Sequence, residues 1–210
     1  MYYLGCMFTA AFKRFYLLAM VQLLTVTFAF NTHAQSKLQL FDDRVMINLA
    51  NCRTPEQTGL MMFLSNTYRY GDVGVPAALL VGGIVTNDRT MRENSLYVFS
   101  STAISYGLTL LIKHIVKRPR PFIQNIHIVP VYQAGSTSFP SGHASTTIST
   151  ATALSIAYPK WYVIAPAFLW AGSVSYSRMY LGVHYPTDVA AGALLGAGSA
   201  VSMSFLKGNR

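Results

Sequence analysis

Acidic residues are scarce: 7 Asp plus Glu stand against 16 Lys plus Arg, and charged residues make up only 11% of the chain. A soluble domain ordinarily carries about a quarter charged residues, so water is a poor match for much of this surface. The net charge of +9 reflects missing acids rather than basic tracts. No Lys/Arg run interleaved with aromatics is present, which argues against nucleic acid as a partner. Cysteine is nearly absent. Cys6 and Cys52 form no Cys-x-x-Cys and no Cys/His cluster, which rules out a disulfide framework and a zinc site. Carboxylates do not cluster as a magnesium site requires. Repeats and low-complexity tracts are also lacking.

Apolar residues are plentiful, at 52% of 210 residues. Lys13 and Arg14 precede an apolar run from Phe15 to Phe30, and Thr32-His33-Ala34 resembles a small-residue cleavage site before Gln35. Residues 1–34 therefore read as a signal peptide or an N-terminal membrane anchor, and residues 35–210 as one helical domain. Either version places the chain immediately after it outside the cytoplasm. Residues 35–72 mix polar and apolar positions and are expected to form one or two amphipathic helices on the surface or at the membrane interface.

Apolar segments come next at Val73–Thr86, Leu96–Ile112, Ala144–Tyr158, Tyr162–Ser175 and Val189–Phe205. Each is 14 to 17 residues, short for a bilayer, which keeps a buried soluble bundle as the competing reading. Small and hydroxyl residues, as in Ser100-Ser101-Thr102 and Ala190-Ala191-Gly192-Ala193, let helices approach closely in a membrane bundle. With the N-terminus inside, the cytoplasmic loops carry Arg89, Arg92, Lys160, Lys207 and Arg210, as positive loops on that side should. The expectation is an all-α, membrane-embedded bundle of about five to six core helices. It is multi-pass, and its reactive loops (113–143 and 177–188) face the extracytoplasmic or periplasmic side.

Those loops hold three motifs. Lys113-His114-Ile115-Val116-Lys117-Arg118-Pro119-Arg120-Pro121 closes one helix, and Pro140-Ser141-Gly142-His143 opens another. The third is Ser177-Arg178, five residues, His184, three residues, then Asp188. Lys113, Arg120 and Arg178 supply three cations for the oxygens of a phosphoryl group, arginine through its planar fork and lysine as a point charge. Ser141 can cap the following helix, and Gly142 lets backbone approach a ligand. A helix N-terminus presents unpaired N–H groups suited to an anion. His143, in that first turn, can reach a leaving-group oxygen as general acid and later serve as base for water. Asp188 is close enough in sequence to hold one nitrogen of His184 and leave the other to attack phosphorus.

These segments resemble the three-part signature of the type 2 phosphatidic acid phosphatase superfamily: Lys-x6-Arg-Pro, Pro-Ser-Gly-His and Ser-Arg-x5-His-x3-Asp. Every signature position is filled, in order. The resemblance implies a helical phosphatase domain with His184 as nucleophile, Asp188 orienting it and His143 as acid/base. Lys113, Arg120, Ser141, Gly142 and Arg178 would form the phosphate cradle, with no cofactor and no metal. It implies a phosphorylated lipid or prenyl diphosphate as substrate, among membrane lipids. A soluble, secreted acid phosphatase with the same site is the alternative. A vanadate-dependent haloperoxidase shares the oxyanion site but is typically longer, and a non-enzymatic membrane protein would have little reason to keep every signature position.

Lys117 and Arg118 fall between signature positions and are expected to touch solvent or lipid headgroups. His114 and His127 read as structural, and Trp161 and Trp170 as helix anchors or packing residues. Tyr176, Tyr180 and Tyr185 flank the site and read as packing. Oligomeric state has no signature in the sequence.

Overall fold

The computed structural model describes the backbone of residues 32–208 and the side chains of residues 37–208. The expected leader lies mostly outside the described residues, and its cleavage-like Thr32-His33-Ala34 forms the first turn of a helix. The described chain forms seven helices: α1 (Thr32–Asn51), α2 (Pro55–Val85), α3 (Arg89–Val116), the single turn α4 (Pro121–Gln124), α5 (Gly142–Ala157), α6 (Trp161–Tyr180) and α7 (Pro186–Ser202). A 3-10 turn, Ser204–Leu206, ends the described chain, which has no strand among the described residues.

Three helices, α2, α3 and α6, are longer than their apolar runs suggested, at 31, 28 and 20 residues. The short apolar patch at Leu60–Phe63 and the segment Val73–Thr86 are one continuous helix of 31 residues, α2, rather than a surface helix and a separate span. Thr54 caps it, accepting from the backbone N–H of Gln57, and Pro55 sits where a missing N–H is harmless. Asp88 caps α3 through Met91 N at 3.0 Å. At about 1.5 Å per residue, the 28 residues of α3 span about 42 Å, beyond the ~30 Å of a bilayer core. By length and composition α3 is the one described helix apolar enough to cross a membrane. Buried polar residues at its start, Asn94 and Ser95, had made this span read short.

α5 is the central helix, packed against α3, α6 and α7. Its buried positions are Ala144, Ser145, Thr146, Thr147, Ser149, Thr150, Ala151 and Ala153, all small. That composition permits close approach on several faces at once. Gly192 and Gly196 of α7 complete the contact: a Cβ there would lie 2.5 Å from Ser141 O and 2.1 Å from Ser145 O. Buried hydroxyls pair between helices. Thr109 donates to Ser145 at 3.0 Å, Thr102 and Thr150 are 2.9 Å apart, and Thr150 donates to Asp72 of α2 at 2.9 Å.

Apolar burial is divided between the two ends. Tyr97, Val98, Ala153, Ala200 and Met203 form a cluster near the α2–α3 turn, where Tyr97 Oη donates to Ala200 O at 2.8 Å. Removing such a buried ring typically costs about 3–5 kcal/mol. At the other end Met46 of α1 packs with Ile128 and Tyr185, and Tyr180, Leu181 and Val183 pack with Phe122 and Tyr132. Phe122, Ile128, Tyr132, Tyr180, Leu181 and Val183 belong to the reactive loops, so this apolar packing fastens the loops to the end of the bundle.

Candidate functional site

Each motif lies at the same end of the bundle because each marks a helix terminus there. α3 runs toward this end and stops at Lys117, which takes the left-handed conformation (φ 49°) and closes the helix with its N–H on Lys113 O. Pro119 and Pro121 keep the chain from resuming that helix, and Pro119 bridges to Thr137. Ser138 N donates to Arg118 O at 2.8 Å, which fastens the loop before α5 onto the first motif. Ser141 N donates to Asp188 O at 2.9 Å and joins the second motif to the third. Val183 N and His184 N both bond to Arg178 O, so the turn after α6 folds back on its own last arginine.

The sequence-predicted residues converge around His184, which is 2% exposed. The side chain of Arg120 donates from Nη1 to Val183 O at 2.6 Å and stands 3.2 Å from His184 Nε2; its Nε donates to Gly135 O. Arg178 donates from Nη1 to Ser65 Oγ and from Nη2 to Tyr132 Oη at 2.6 Å, while its buried Nε has no partner. Lys113 Nζ donates to the carbonyls of Thr137 and Ser138, each at 3.1 Å. Ser141 occupies the N-cap position of α5 yet makes no capping bond; its hydroxyl is buried without a partner. Such an unpaired buried donor normally has a ligand or water to satisfy it. Gly142 begins α5 beside it.

Guanidinium groups only donate, so the Arg120 contact makes His184 Nε2 the acceptor and puts the ring proton on Nδ1. Nδ1 faces Asp188 Oδ2 at 3.7 Å, within ion-pair range and too long for a hydrogen bond. Asp188 instead gives Oδ2 to Tyr185 N at 2.9 Å and Oδ1 to Arg118 Nη1 at 2.7 Å. Burial, followed by the nearby charges of Arg120, Arg178 and Lys113, holds His184 well below the usual imidazole range. Burial and the neighbouring Arg178 likewise lower Arg120, to about 10. The result is a neutral imidazole with its lone pair aimed among cations.

His143 lies in the first turn of α5. Its Nε2 is 3.2 Å from Ser65 O, and Tyr68 stacks on its ring at a centroid distance of 3.8 Å. A carbonyl only accepts, so Nε2–H is the donor there. Ser65, Tyr68 and Asp72 lie at helical spacing along one face of α2. Sequence reading missed this contribution. Its one signal was the i, i+3, i+7 spacing itself, masked in sequence by the neighbouring polar residues Asn66, Thr67 and Arg69.

Two expectations need revision and several others find their places. Arg118 was expected at solvent or lipid headgroups. It is instead locked between Asp42 of α1, 2.8 Å from Nη2, and Asp188, 2.7 Å from Nη1, with Tyr185 under its guanidinium at 4.1 Å. Tyr185 is thus more than packing beside the site: it is fully buried and forms the base for that cation. Lys117, His114 and His127 are not buried in the site. Trp161 is 79% exposed at the opposite end, whereas Trp170 packs on Gly71. Tyr180 is buried and Tyr176 partly exposed. Cys52 is exposed and unpaired. Among the described residues no group of three or more His, Cys, Asp or Glu is placed to hold a metal ion.

Comparison with known proteins gives a consistent picture. A family profile described as the PAP2 superfamily matches residues 94–209. An undecaprenyl-diphosphatase of Sulfolobus acidocaldarius is 36% identical over 144 residues, covering 66% of this chain and 65% of that protein. A decaprenylphosphoryl-5-phosphoribose phosphatase of Mycobacterium tuberculosis is 30% identical over 159 residues, 74% of this chain and 85% of that one. Among solved structures, Aquifex aeolicus LpxE superposes with a TM-score of 0.63 at 26% identity, covering 78% of this chain and 94% of the other. A transmembrane PAP2-type phosphatidylglycerolphosphate phosphatase from Bacillus subtilis gives 0.67 at 22% identity, over 91% and 94%, and supports the fold.

Proposed function

The chain belongs to the PAP2 superfamily, and from that premise we propose that it is a membrane-embedded phosphatase of lipid phosphomonoesters or prenyl diphosphates. The observation that carries the reading is the convergence on His184 of Arg120 and the cations Arg178 and Lys113, beside the unpaired hydroxyl of Ser141. Such a pocket neutralises three phosphoryl oxygens at once, and phosphoryl transfer depends mainly on positioning and charge.

In the proposed mechanism the substrate phosphoryl group enters between His184 and His143. Arg120 moves its Nη1 from the imidazole to a phosphoryl oxygen and so releases Nε2. The Nε2–phosphorus bond forms while the phosphorus–oxygen bond to the lipid breaks, and His143, entering as an imidazolium whose Nε2–H is held by Ser65 O, gives its Nδ1 proton to the departing oxygen. Water then attacks phosphorus, His143 takes its proton, and the phosphorus–nitrogen bond breaks to leave inorganic phosphate and neutral His184. No step requires a metal ion.

Membrane embedding and orientation are part of the same proposal. The end away from the site carries Arg89, Arg92, Lys160 and Lys207 around the turns after α2, before α6 and after α7. This is the cytoplasmic pattern, and it supports the reading in which the reactive end faces the extracytoplasmic side. Leu96, Phe99, Leu110, Leu111, Leu169 and Leu194 are exposed along the bundle, as lipid-facing positions would be. The soluble alternative drew its support from the cleavable-looking N-terminus and the short apolar runs; helices of 28 and 31 residues weaken the second of these, while α5 and α7, at 16 and 17 residues, are still short for a bilayer.

A substrate panel tests the proposal. Purified protein in lipid nanodiscs should hydrolyse a prenyl diphosphate or lipid phosphomonoester at least about tenfold faster than a small soluble monoester. Equal or better turnover of the soluble ester, with protein recovered in the detergent-free supernatant, would establish the secreted acid phosphatase instead.

A further inference from the structure

The third motif accounts for Asp188 as partner of His184, yet the carboxylate's shorter contacts run elsewhere. Its Oδ1 is 2.7 Å from Arg118, a residue outside every signature position. Arg118 in turn uses its whole fork. Nη1 bonds Asp188 and Thr187 Oγ1 at 2.7 Å each, and Nη2 bonds Asp42 Oδ2 at 2.8 Å and Gln39 Oε1 at 2.9 Å. Asp42 is fully buried and also accepts from Thr187 N at 3.1 Å and from Thr187 Oγ1. Gln39 and Asp42 are on α1, far before the segment 94–209 that the family profile covers.

We propose that Arg118, clamped by Asp42 of α1, is a positioning residue that acts on His184 through Asp188. A buried carboxylate shared between a cation and an imidazole cannot serve both fully. While Arg118 holds Oδ1 and Tyr185 N holds Oδ2, Asp188 faces from 3.7 Å the Nδ1–H that the Arg120 contact leaves on His184, and does not draw that proton toward itself. Asp42 sets how much of the arginine's charge is left for Asp188. Two carboxylates around one guanidinium therefore grade the basicity of the nucleophile, and α1 becomes part of the catalytic assembly.

The other charged groups facing His184 are Lys113 from α3, Arg120 from the loop before α4, His143 from α5 and Arg178 from α6. They are unchanged in the variants below, so any shift between variants belongs to the Asp42–Arg118–Asp188 chain. Removing Arg118 unmasks Asp188 and should make His184 easier to protonate. Removing the charge of Asp42 strengthens the arginine's hold on Asp188 and should do the reverse.

This inference rests on His184 being the nucleophile of the proposed function, and one experiment separates the two. The full chain in nanodiscs, as wild type, Arg118→Gln, Arg118→Lys and Asp42→Asn, is assayed for kcat and KM across pH, with phosphohistidine trapped by alkaline quench. Arg118→Gln should lower kcat about 10- to 100-fold with KM changed less than about threefold, the range typical of residues that orient a reactive ligand. Its acid limb of kcat/KM should move up, and that of Asp42→Asn down. Arg118→Lys keeps charge but not the fork, and should hold the limb while losing rate. If Arg118→Gln does not fold, the Asp42→Asn and Arg118→Lys limbs decide alone. Limbs that coincide with wild type, or move in the same direction for Arg118→Gln and Asp42→Asn, overturn the positioning role. A wild type that traps no phosphohistidine overturns the proposed mechanism itself.

Discussion

Arg120 caps the imidazole it sits beside: its Nη1 lies 3.2 Å from Nε2 of His184, on the nitrogen that the proposed mechanism needs for attack. The resting site is therefore closed by one of its own cations. In the proposed mechanism an incoming phosphoryl group opens it by offering that guanidinium a more highly charged acceptor, which would uncover the nucleophile only where phosphate is present.

Replacing Arg120 should accordingly affect more than binding. Arg120→Gln is expected to lower kcat/KM by a factor on the order of 100 to 1,000, comparable to loss of one preorganised charge-stabilising donor. Steady-state kinetics on a lipid phosphate checks it. A loss confined to KM would mean that Arg120 binds ground state and transition state alike.

His184→Ala should abolish phosphohistidine, whereas His143→Ala should still form it from a substrate with a good leaving group. For His143→Ala the rate on an aryl phosphate is expected to fall about tenfold, and on an alkyl or lipid phosphate about 100- to 10,000-fold. Pre-steady-state measurement of alcohol release gives both numbers. Equal losses on the two substrates would remove His143 from the acid role.

The pH profile has a definite sign. Burial and then the charges of Arg120, Arg178 and Lys113 depress His184, so the nucleophile stays neutral as pH falls past the ordinary histidine range near 6.5. In kcat/KM, which reports the unliganded enzyme, the acid limb assigned to His184 should lie below that value. Arg178→Gln removes one of these charges and should shift the limb upward relative to wild type on the same substrate. Comparing the two proteins cancels ionisation of the substrate itself.

Gly196 offers a stability test independent of the chemistry. A Cβ there would stand 2.1 Å from Ser145 O and 2.9 Å from Ser149 N, both backbone atoms of the central helix. Gly196→Ala must separate α5 from α7 and is expected to destabilise by about 1–3 kcal/mol or more. Gly59→Ala, where nothing lies within 4 Å, is the control and should be neutral or slightly stabilising. Thermal unfolding in one detergent compares them.

Vanadate should inhibit competitively with substrate as a trigonal bipyramidal mimic, and prolonged chelator dialysis should leave activity unchanged. Activity lost on dialysis and restored by a divalent cation would show that a metal takes part after all.

The residues that carry the proposed reaction were legible in sequence because they fall in short motifs whose internal spacing is fixed by a helix end: Lys113 to Arg120, Ser141 to His143, Arg178 to Asp188. Local chemistry sufficed there. Prolines stop a helix, a small pair starts one, and each terminus exposes its cations and N–H groups. The all-α class came from the same apolar segments, although their ends were read too early. Ser65 and Asp72 look like boundaries in sequence, but they are interior positions of α2 with partners on other helices.

What the sequence by itself determined, then, is the helical class and the set of side chains proposed to react. Only the tertiary structure decided who orients them. Asp42 and Arg118 are separated by 76 residues and joined at 2.8 Å, and Ser65 meets Arg178 across 113. Such pairings depend on how helices pack, and packing is set by surfaces contributed from several segments at once, which no local spacing encodes.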